Sequence, residues 1–301
     1  MADEPRAETT DDAPKPDPIP WQLRATFTPV LFVFMLLIGV RMLNAVSLYP
    51  GVVSDTEVGP RLAKQRSDVR EVSFEAEDGV KLYGWVQGDD AAPRKIIQFM
   101  GNAEIVGPAA DLYAGTCLAL NAQFLLFDYR GYANSEGRPS EPGLYADARG
   151  AYRYATEQLH WEPAQINLWG RSLGCGPATK LAVELIEQET APRALILEAP
   201  FTNIRDMAAI AMPSLGKPDW LIYDLYDNLG RAPELRVPVF HFQGTDDEII
   251  PFEQGERLLD ALPGPKEHLT LEGVGHNNIW DDDARAKMIR ERIDAFLKAH
   301  E

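Results

Sequence analysis

"NLWGRSLGCG", Asn167–Gly176, sets Ser172 between Gly170 and Gly174 just where an apolar run ends. The letters spell G-x-S-x-G, and their meaning depends on what flanks them. If the preceding run is a strand and the following residues open a helix, the two glycines remove Cβ atoms that would clash in a tight elbow. Ser172 is then thrust above the sheet edge. The amide end of that helix also faces the serine and favours negative charge developing there. The competing reading is an ordinary glycine-rich turn, and the surrounding pattern has to decide.

From Val72 onward, short apolar runs alternate with helix-length amphipathic stretches. "EVSFEAEDGVKLYGWV" reads as two alternating strands joined at the Asp78-Gly79 turn. Six further strands are expected at 95–100, 122–128, 165–170, 193–199, 238–243 and 267–272, with helices at 108–120, 143–159, 173–187, 253–261 and 282–299. Strands that are apolar almost throughout and alternate with helices predict an α/β fold whose mostly parallel eight-stranded sheet is covered on both faces. The first hairpin supplies antiparallel strands at one edge. The stretch 200–236 breaks the rhythm with several prolines and aromatics. An excursion of that length is usually functional, and it is read as a small cap.

In this frame "LWGRSLGCG" ends the fifth strand of that series and opens a helix, so Ser172 is a candidate nucleophile. A serine needs a base, and the base needs a group that orients it. Of the five histidines, His160 falls near a helix end, His241 and His268 fall within strands, and His300 is near the C-terminus. Only His276 lies in a glycine-containing loop after the final strand. For the acid, Asp246, Asp247 and Glu248 stand side by side in the loop one strand earlier, and composition does not choose among them. Both loops follow strands and therefore fall at the sheet edge where open α/β sheets bind ligands. The chain order of nucleophile, acid and base is the order expected on such a sheet.

The stretches "FMGNAEIVG", "LLFDYRGYANSEGRPSEPGLYAD", "LWGRSLGCGPA", "LILEAPFTNIRDMA", "VPVFHFQGTDDEIIPFEQG" and "GVGHNNI" together resemble the α/β-hydrolase superfamily. Within it they resemble the membrane-tethered group of Bem46-like, ABHD13-like and ABHD17-like hydrolases. The resemblance runs from about Val72 to the C-terminus. It implies a Ser172, Asp247, His276 triad, with Asp247 as the acid, and an oxyanion hole made by the backbone N–H groups of Asn102 and Leu173. It further implies ester or thioester hydrolysis of small-molecule or lipid-linked acyl substrates through an acyl-enzyme. Amide or peptide hydrolysis would use the same triad. The family pattern before Asn102 usually reads His-Gly-Asn, whereas this chain has Met100; that departure motivates a third reading, a non-catalytic interaction protein that kept the fold. Asp128, Tyr129 and Arg130 of the "FDYRGY" signature are expected to be structural, as is Glu198 at the end of the sixth strand, whose alternative is a substitute acid.

The composition narrows the rest. The chain has 301 residues, 45% apolar and 25% charged, which is globular, and a formal charge of −17 with no basic stripe excludes a nucleic-acid binder. Cys117 and Cys175 form neither a disulfide framework nor a zinc spacing and are expected as buried apolar groups. No metal-ligand cluster and no G-x-G-x-x-G loop follows the first parallel strand, so no cofactor is expected. Residues 1–20 are acidic and proline-rich and are read as a disordered tail. Residues 21–48 are read as a single-pass anchor around the uncharged run Ala25–Val40, with Arg41 snorkelling and "MLNAVSLY" extending it. Basic residues Arg6, Lys15 and Arg24 precede it and Arg41, Arg61, Lys64 and Arg66 follow it, which leans towards a cytoplasmic catalytic domain. A carbonate wash is expected to leave the full-length protein in the membrane, and deletion of residues 1–48 to release it; full-length protein in the wash would refute the spanning helix.

Overall fold

In the computed structural model the described residues are 48–49, 58–211 and 222–301. The tail, residues 21–47 of the anchor and residues 212–221 of the cap lie outside them. Among the described residues no helix is long and apolar enough to cross a membrane.

Eight strands form one sheet: β1 (Val69–Glu75), β2 (Lys81–Gln87), β3 (Arg94–Phe99), β4 (Ala122–Phe127), β5 (Ile166–Arg171), β6 (Ala194–Glu198), β7 (Val239–Gly244) and β8 (Lys266–Leu271). Their order across the sheet is β1-β2-β4-β3-β5-β6-β7-β8. The hairpin is antiparallel and pairs through β2 with β4, and every later pairing is parallel. Strands β3 to β7 are buried at every position, which is why they read as continuous apolar runs rather than alternating ones.

The helices between them divide by face. Helices α3 (Glu141–Glu157), α4 (Cys175–Glu187) and α7 (Phe252–Ala261) cover one side, packing Leu144, Ala151, Leu181 and Leu258 against Ile97, Phe127 and Leu197. Helices α2 (Val106–Ala119) and α8 (Asp283–Ala299) cover the other, with Tyr113, Ile289 and Phe296 against Ile96, Phe124, Trp169 and Phe240. Successive strand residues such as Ile96 and Ile97 therefore serve different cores, as a period of two requires. Three short helices, α1 (Val58–Ala63), α5 (Ile204–Ala211) and α6 (Asn228–Arg231), complete the described chain.

The chain leaves β3 over one face through α2 and returns from β4 to β5 over the other through α3. The crevice above β3 and β5 is thus the point where strand order reverses, the position at which such sheets bind ligands. The "FDYRGY" turn after β4 braces it. Buried Asp128 accepts from the Val106 N–H that opens α2 (2.9 Å), and the Tyr129 hydroxyl donates to the Met100 carbonyl (3.1 Å). Arg130 reaches buried Asp147 of α3 at 2.8 Å and Asp78 of the hairpin turn at 2.7 Å. Burial pushes the Asp128 carboxyl up to about 7 and Asp147 up to about 6, which fits acids held inside as acceptors of backbone N–H groups.

Gly150 lets α3 lie directly on the hairpin: a Cβ there would meet Ala76 Cα at 2.5 Å and the Glu75 carbonyl oxygen at 2.6 Å, both backbone atoms that cannot swing away. Gly150→Ala is expected to destabilise by about 1–3 kcal/mol, lowering the melting temperature by roughly 2–10 °C in a scanning melt; an unchanged melt would contradict that packing.

Candidate active site

Strand β5 ends in buried Arg171, and the chain turns through Ser172–Gly174 into α4. Ser172 has φ +51°, the left-handed region that costs a residue with a Cβ about 1–2 kcal/mol. Its neighbours are glycines for steric reasons. A Cβ on Gly170 would lie 2.7 Å from Cys175 Cα, and one on Gly174 would lie 2.0 Å from the Phe99 carbonyl oxygen at the end of β3. The elbow is therefore pressed backbone to backbone against the loop that follows β3.

The loops after β7 and β8 are joined in the same way. A Cβ on Gly244 would lie 1.9 Å from the Val274 carbonyl oxygen, and the Asp246 N–H donates to that oxygen at 3.0 Å. This seam brings three candidate residues together: His276 Nδ1 lies 2.8 Å from Asp247 Oδ2, and its Nε2 lies 3.0 Å from Ser172 Oγ. A carboxylate only accepts, so Nδ1 donates to Asp247, and in the neutral tautomer that leaves Nε2 as the acceptor for the serine hydroxyl. Asp247 Oδ1 accepts from the N–H groups of Ile249 (3.0 Å) and Ile250 (2.7 Å), which locks its rotamer. The three adjacent acids separate cleanly. Asp247 is buried against the imidazole, Asp246 is exposed, and exposed Glu248 touches the His276 backbone N–H, at 3.3 Å, rather than its ring.

The other histidines lie elsewhere. His241 and His268 share a 2.9 Å hydrogen bond between their Nδ1 atoms, and burial together with His268 pushes His241 down to about 3. His268 Nε2 meets the Thr270 hydroxyl at 2.7 Å, so the pair is bonded within β7 and β8 rather than to Ser172 or Asp247. His300 bonds the Phe296 carbonyl, and His160 follows the end of α3. A polar depression of about 390 Å³, lined by Arg70, Asp90, Gln123, Tyr154, Gln158 and Leu159, opens at the opposite ends of the strands and takes no part in the site.

No family model matches the chain. An uncharacterized protein of Mycobacterium tuberculosis is 37% identical over 211 residues, 69% of this chain and 73% of that one. The human alpha/beta hydrolase domain-containing protein 17B is 32% identical over 179 residues, 60% of this chain and 59% of its own length. The lysophosphatidylserine lipase ABHD12 of Danio rerio is 35% identical over 160 residues, 49% of this chain and 41% of its own length. Among solved structures, an alpha-beta hydrolase from Vibrio vulnificus superposes with a TM-score of 0.68 at 19% identity, covering 86% of this chain and 92% of that one. The Pyrococcus furiosus esterase Pf2001 superposes with a TM-score of 0.64 at 18% identity over 80% and 93%. The chain belongs to the α/β-hydrolase superfamily.

Against that family, the departure at Met100 has a structural explanation. The Met100 side chain is fully buried in the core on the α2 face, so it points away from the elbow. The loop is held instead at its carbonyl by Tyr129 and at the Gly101 N–H, which donates to Glu104 at 2.5 Å. Glu104 in turn pairs with Arg171, the residue just before the serine, and Arg171 also reaches buried Glu198 at 3.1 Å. Glu198 accepts from Tyr113, Trp169 and Trp280 as well, at 3.1, 3.2 and 2.7 Å. With every acceptor direction used inside the core, it acts as the structural hub of this α/β-hydrolase, and His276 is bonded to Asp247 instead. Sequence reasoning misses Arg171 and Glu104 as a pair, because two ordinary surface-type residues become partners only when β3 and β5 lie side by side. Both cysteines are buried and free; burial pushes Cys117 up to about 11 and raises Cys175 as well, so neither is an ionised nucleophile.

The separation of the three acids yields a direct check. Asp247→Asn is expected to lower kcat for a soluble p-nitrophenyl ester by about 10³–10⁴-fold, while Asp246→Asn stays within about threefold of wild type, because its side chain meets Thr245 and not the imidazole. Equal losses in steady-state assays would mean that the acid is misassigned.

Proposed function

We propose that this protein is a membrane-anchored serine hydrolase that cleaves ester or thioester bonds of acyl substrates through Ser172, His276 and Asp247. The observation that carries the reading is the unbroken hydrogen-bonded line from Asp247 through His276 to the strained Ser172 hydroxyl, at 2.8 and 3.0 Å. His276 takes the Ser172 proton as the oxygen attacks the acyl carbonyl. The oxyanion is held by the backbone N–H groups of Asn102 and Leu173, a pairing supported by the close approach of Gly174 to Phe99 and Met100. Each such donor contributes roughly 10²–10³ in rate. His276 then protonates the leaving group, water repeats the sequence on the acyl-enzyme, and Asp247 steadies the imidazolium in both steps.

The substrate is a small-molecule or lipid-linked acyl compound. Support comes from the apolar segment ahead of the fold and from a relative named as a lysophosphatidylserine lipase, which points to single-chain acyl lipids. The catalytic domain is assigned to the cytoplasmic side on the balance of basic residues flanking that segment.

A fluorophosphonate probe is expected to label the wild type and not Ser172→Ala, and Ser172→Ala is expected to lose at least about 10³-fold in kcat on acyl esters. Equal labelling of both proteins would overturn the reading. A parallel panel of acyl-ester, acyl-thioester and aminoacyl substrates identifies the leaving group, since the triad itself does not encode it.

A further inference from the structure

Two residues that close the apolar N-terminal stretch are built into the catalytic fold. The Leu48 carbonyl accepts from the Asn102 side-chain Nδ2 at 2.7 Å, while Asn102 Oδ1 accepts from the Tyr132 hydroxyl at 2.8 Å. Tyr49 is 4% exposed. Its hydroxyl donates to Asp224 Oδ2 at 2.9 Å and accepts from the Tyr226 hydroxyl at 2.7 Å. Asp224 and Tyr226 belong to the returning limb of the 200–236 excursion, and that limb is itself pinned. The Glu141 N–H at the start of α3 donates to Asp224 at 3.1 Å, and the Glu141 carboxylate accepts from the N–H groups of Leu225 and Tyr226, at 2.5 and 2.8 Å.

Tyr226 also touches the nucleophile's helix. Its ring fills the space beside Gly176 so tightly that a Cβ there would lie 2.4 Å from Cδ1. The Leu48–Tyr49 segment is consequently fastened at one end to the loop carrying Asn102 and at the other to the residue packed on the first turn of α4. Burial and the negative charge of Asp224 raise the Tyr49 hydroxyl well above its ordinary range, so it stays a donor at every working pH. An asparagine amide bonded at both its nitrogen and its oxygen has its rotamer fixed, and members of such a partly buried network reinforce one another.

We propose that Leu48 and Tyr49 are positioning residues of the active site: the Leu48 carbonyl, held in place by Tyr49, fixes Asn102 so that its backbone N–H meets the oxyanion. The inference rests on the serine-hydrolase reading and adds to it that the segment leaving the apolar stretch is part of the catalytic apparatus. Misplacing a donor by about 1 Å is enough to cost roughly 100-fold in rate.

The test uses full-length protein in detergent micelles with p-nitrophenyl butyrate as substrate and a trifluoromethyl ketone as inhibitor, whose hemiketal oxyanion occupies the same hole. Tyr49→Ala and Asn102→Ala are each expected to lower kcat about 10- to 100-fold with KM within about threefold, and to weaken the ketone in proportion. Because both act through one hydrogen bond, the double variant should be little worse than either single one. A merely structural Tyr49 would lower the melting temperature and leave kcat and ketone affinity unchanged below the melt. That result, or fully additive losses, would overturn the proposal. If Tyr49→Ala does not fold, Tyr49→Phe and Asn102→Ala decide, since a folded Asn102→Ala with wild-type kcat and ketone affinity is equally fatal. Full turnover by Ser172→Ala would instead sink the underlying hydrolase reading, so the two failures are told apart.

Discussion

Gly174 lies where a single added carbon would sit 2.0 Å from the Phe99 carbonyl oxygen, and that close approach governs the geometry of the site. It holds the end of β5 against the end of β3, the two neighbouring strands at which the sheet's order reverses. Once these backbones meet, the turn has no room for a relaxed conformation, and Ser172 takes φ +51°. The cost of about 1–2 kcal/mol is small beside the burial of five consecutive strands. Within the elbow, the positive φ falls on the serine.

The same principle operates on the other side of the crevice. Gly244 against the Val274 carbonyl brings the β7 and β8 loops into contact, and Asp247 and His276 sit on the two sides of that seam. The acids then differ by their partners rather than by their burial alone. Glu198 is fully buried, yet its oxygens are consumed by two indoles, a phenol and Arg171. Asp247 is also buried, but one oxygen is taken by backbone N–H groups and the other meets the imidazole at 2.8 Å, with only a longer 3.4 Å contact from Gln243 Nε2 beside it. A carboxylate saturated by donors in the core has nothing with which to orient a base; one half saturated does.

Much of this architecture is legible in the amino-acid sequence. Each major strand and helix lies within two residues of its expected bounds, because fully buried strands leave short continuous apolar runs and the stretches between them are helix-length. That Ser172 and His276 stand in loops at one sheet edge follows from where the apolar runs end. Which acid faces the imidazole does not follow: Asp246, Asp247 and Glu248 differ only in which way a loop turns them, and loop backbone is not periodic. The insertion of β4 between β2 and β3 is equally hidden, since strand order follows from which face each crossover helix takes. The contacts of Arg171, Glu104 and Tyr49 reach across the chain, by 175 positions between Tyr49 and Asp224, and no local pattern records them.

Met100 ties these observations together. Where the family carries a histidine, this chain turns an apolar side chain into the α2-side core and gives up a polar group beside the elbow. For the proposed role of the Asn102 N–H the loop still has to be rigid, because an oxyanion donor that reorganises during the reaction contributes little. The restraint is therefore distributed over its flanks: Tyr129 on the Met100 carbonyl, Glu104 and Arg171 on the Gly101 N–H, and Leu48 on the Asn102 side chain. Two of these three come from the sheet and its turns and would persist in any fragment holding the fold. The third comes from the chain just after the apolar segment, so the stiffness of the Asn102 loop depends on a residue at the end of the segment read from the sequence as an anchor. In the proposed hydrolase, the segment read from the sequence as an anchor is thereby coupled to the group proposed to stabilise the transition state.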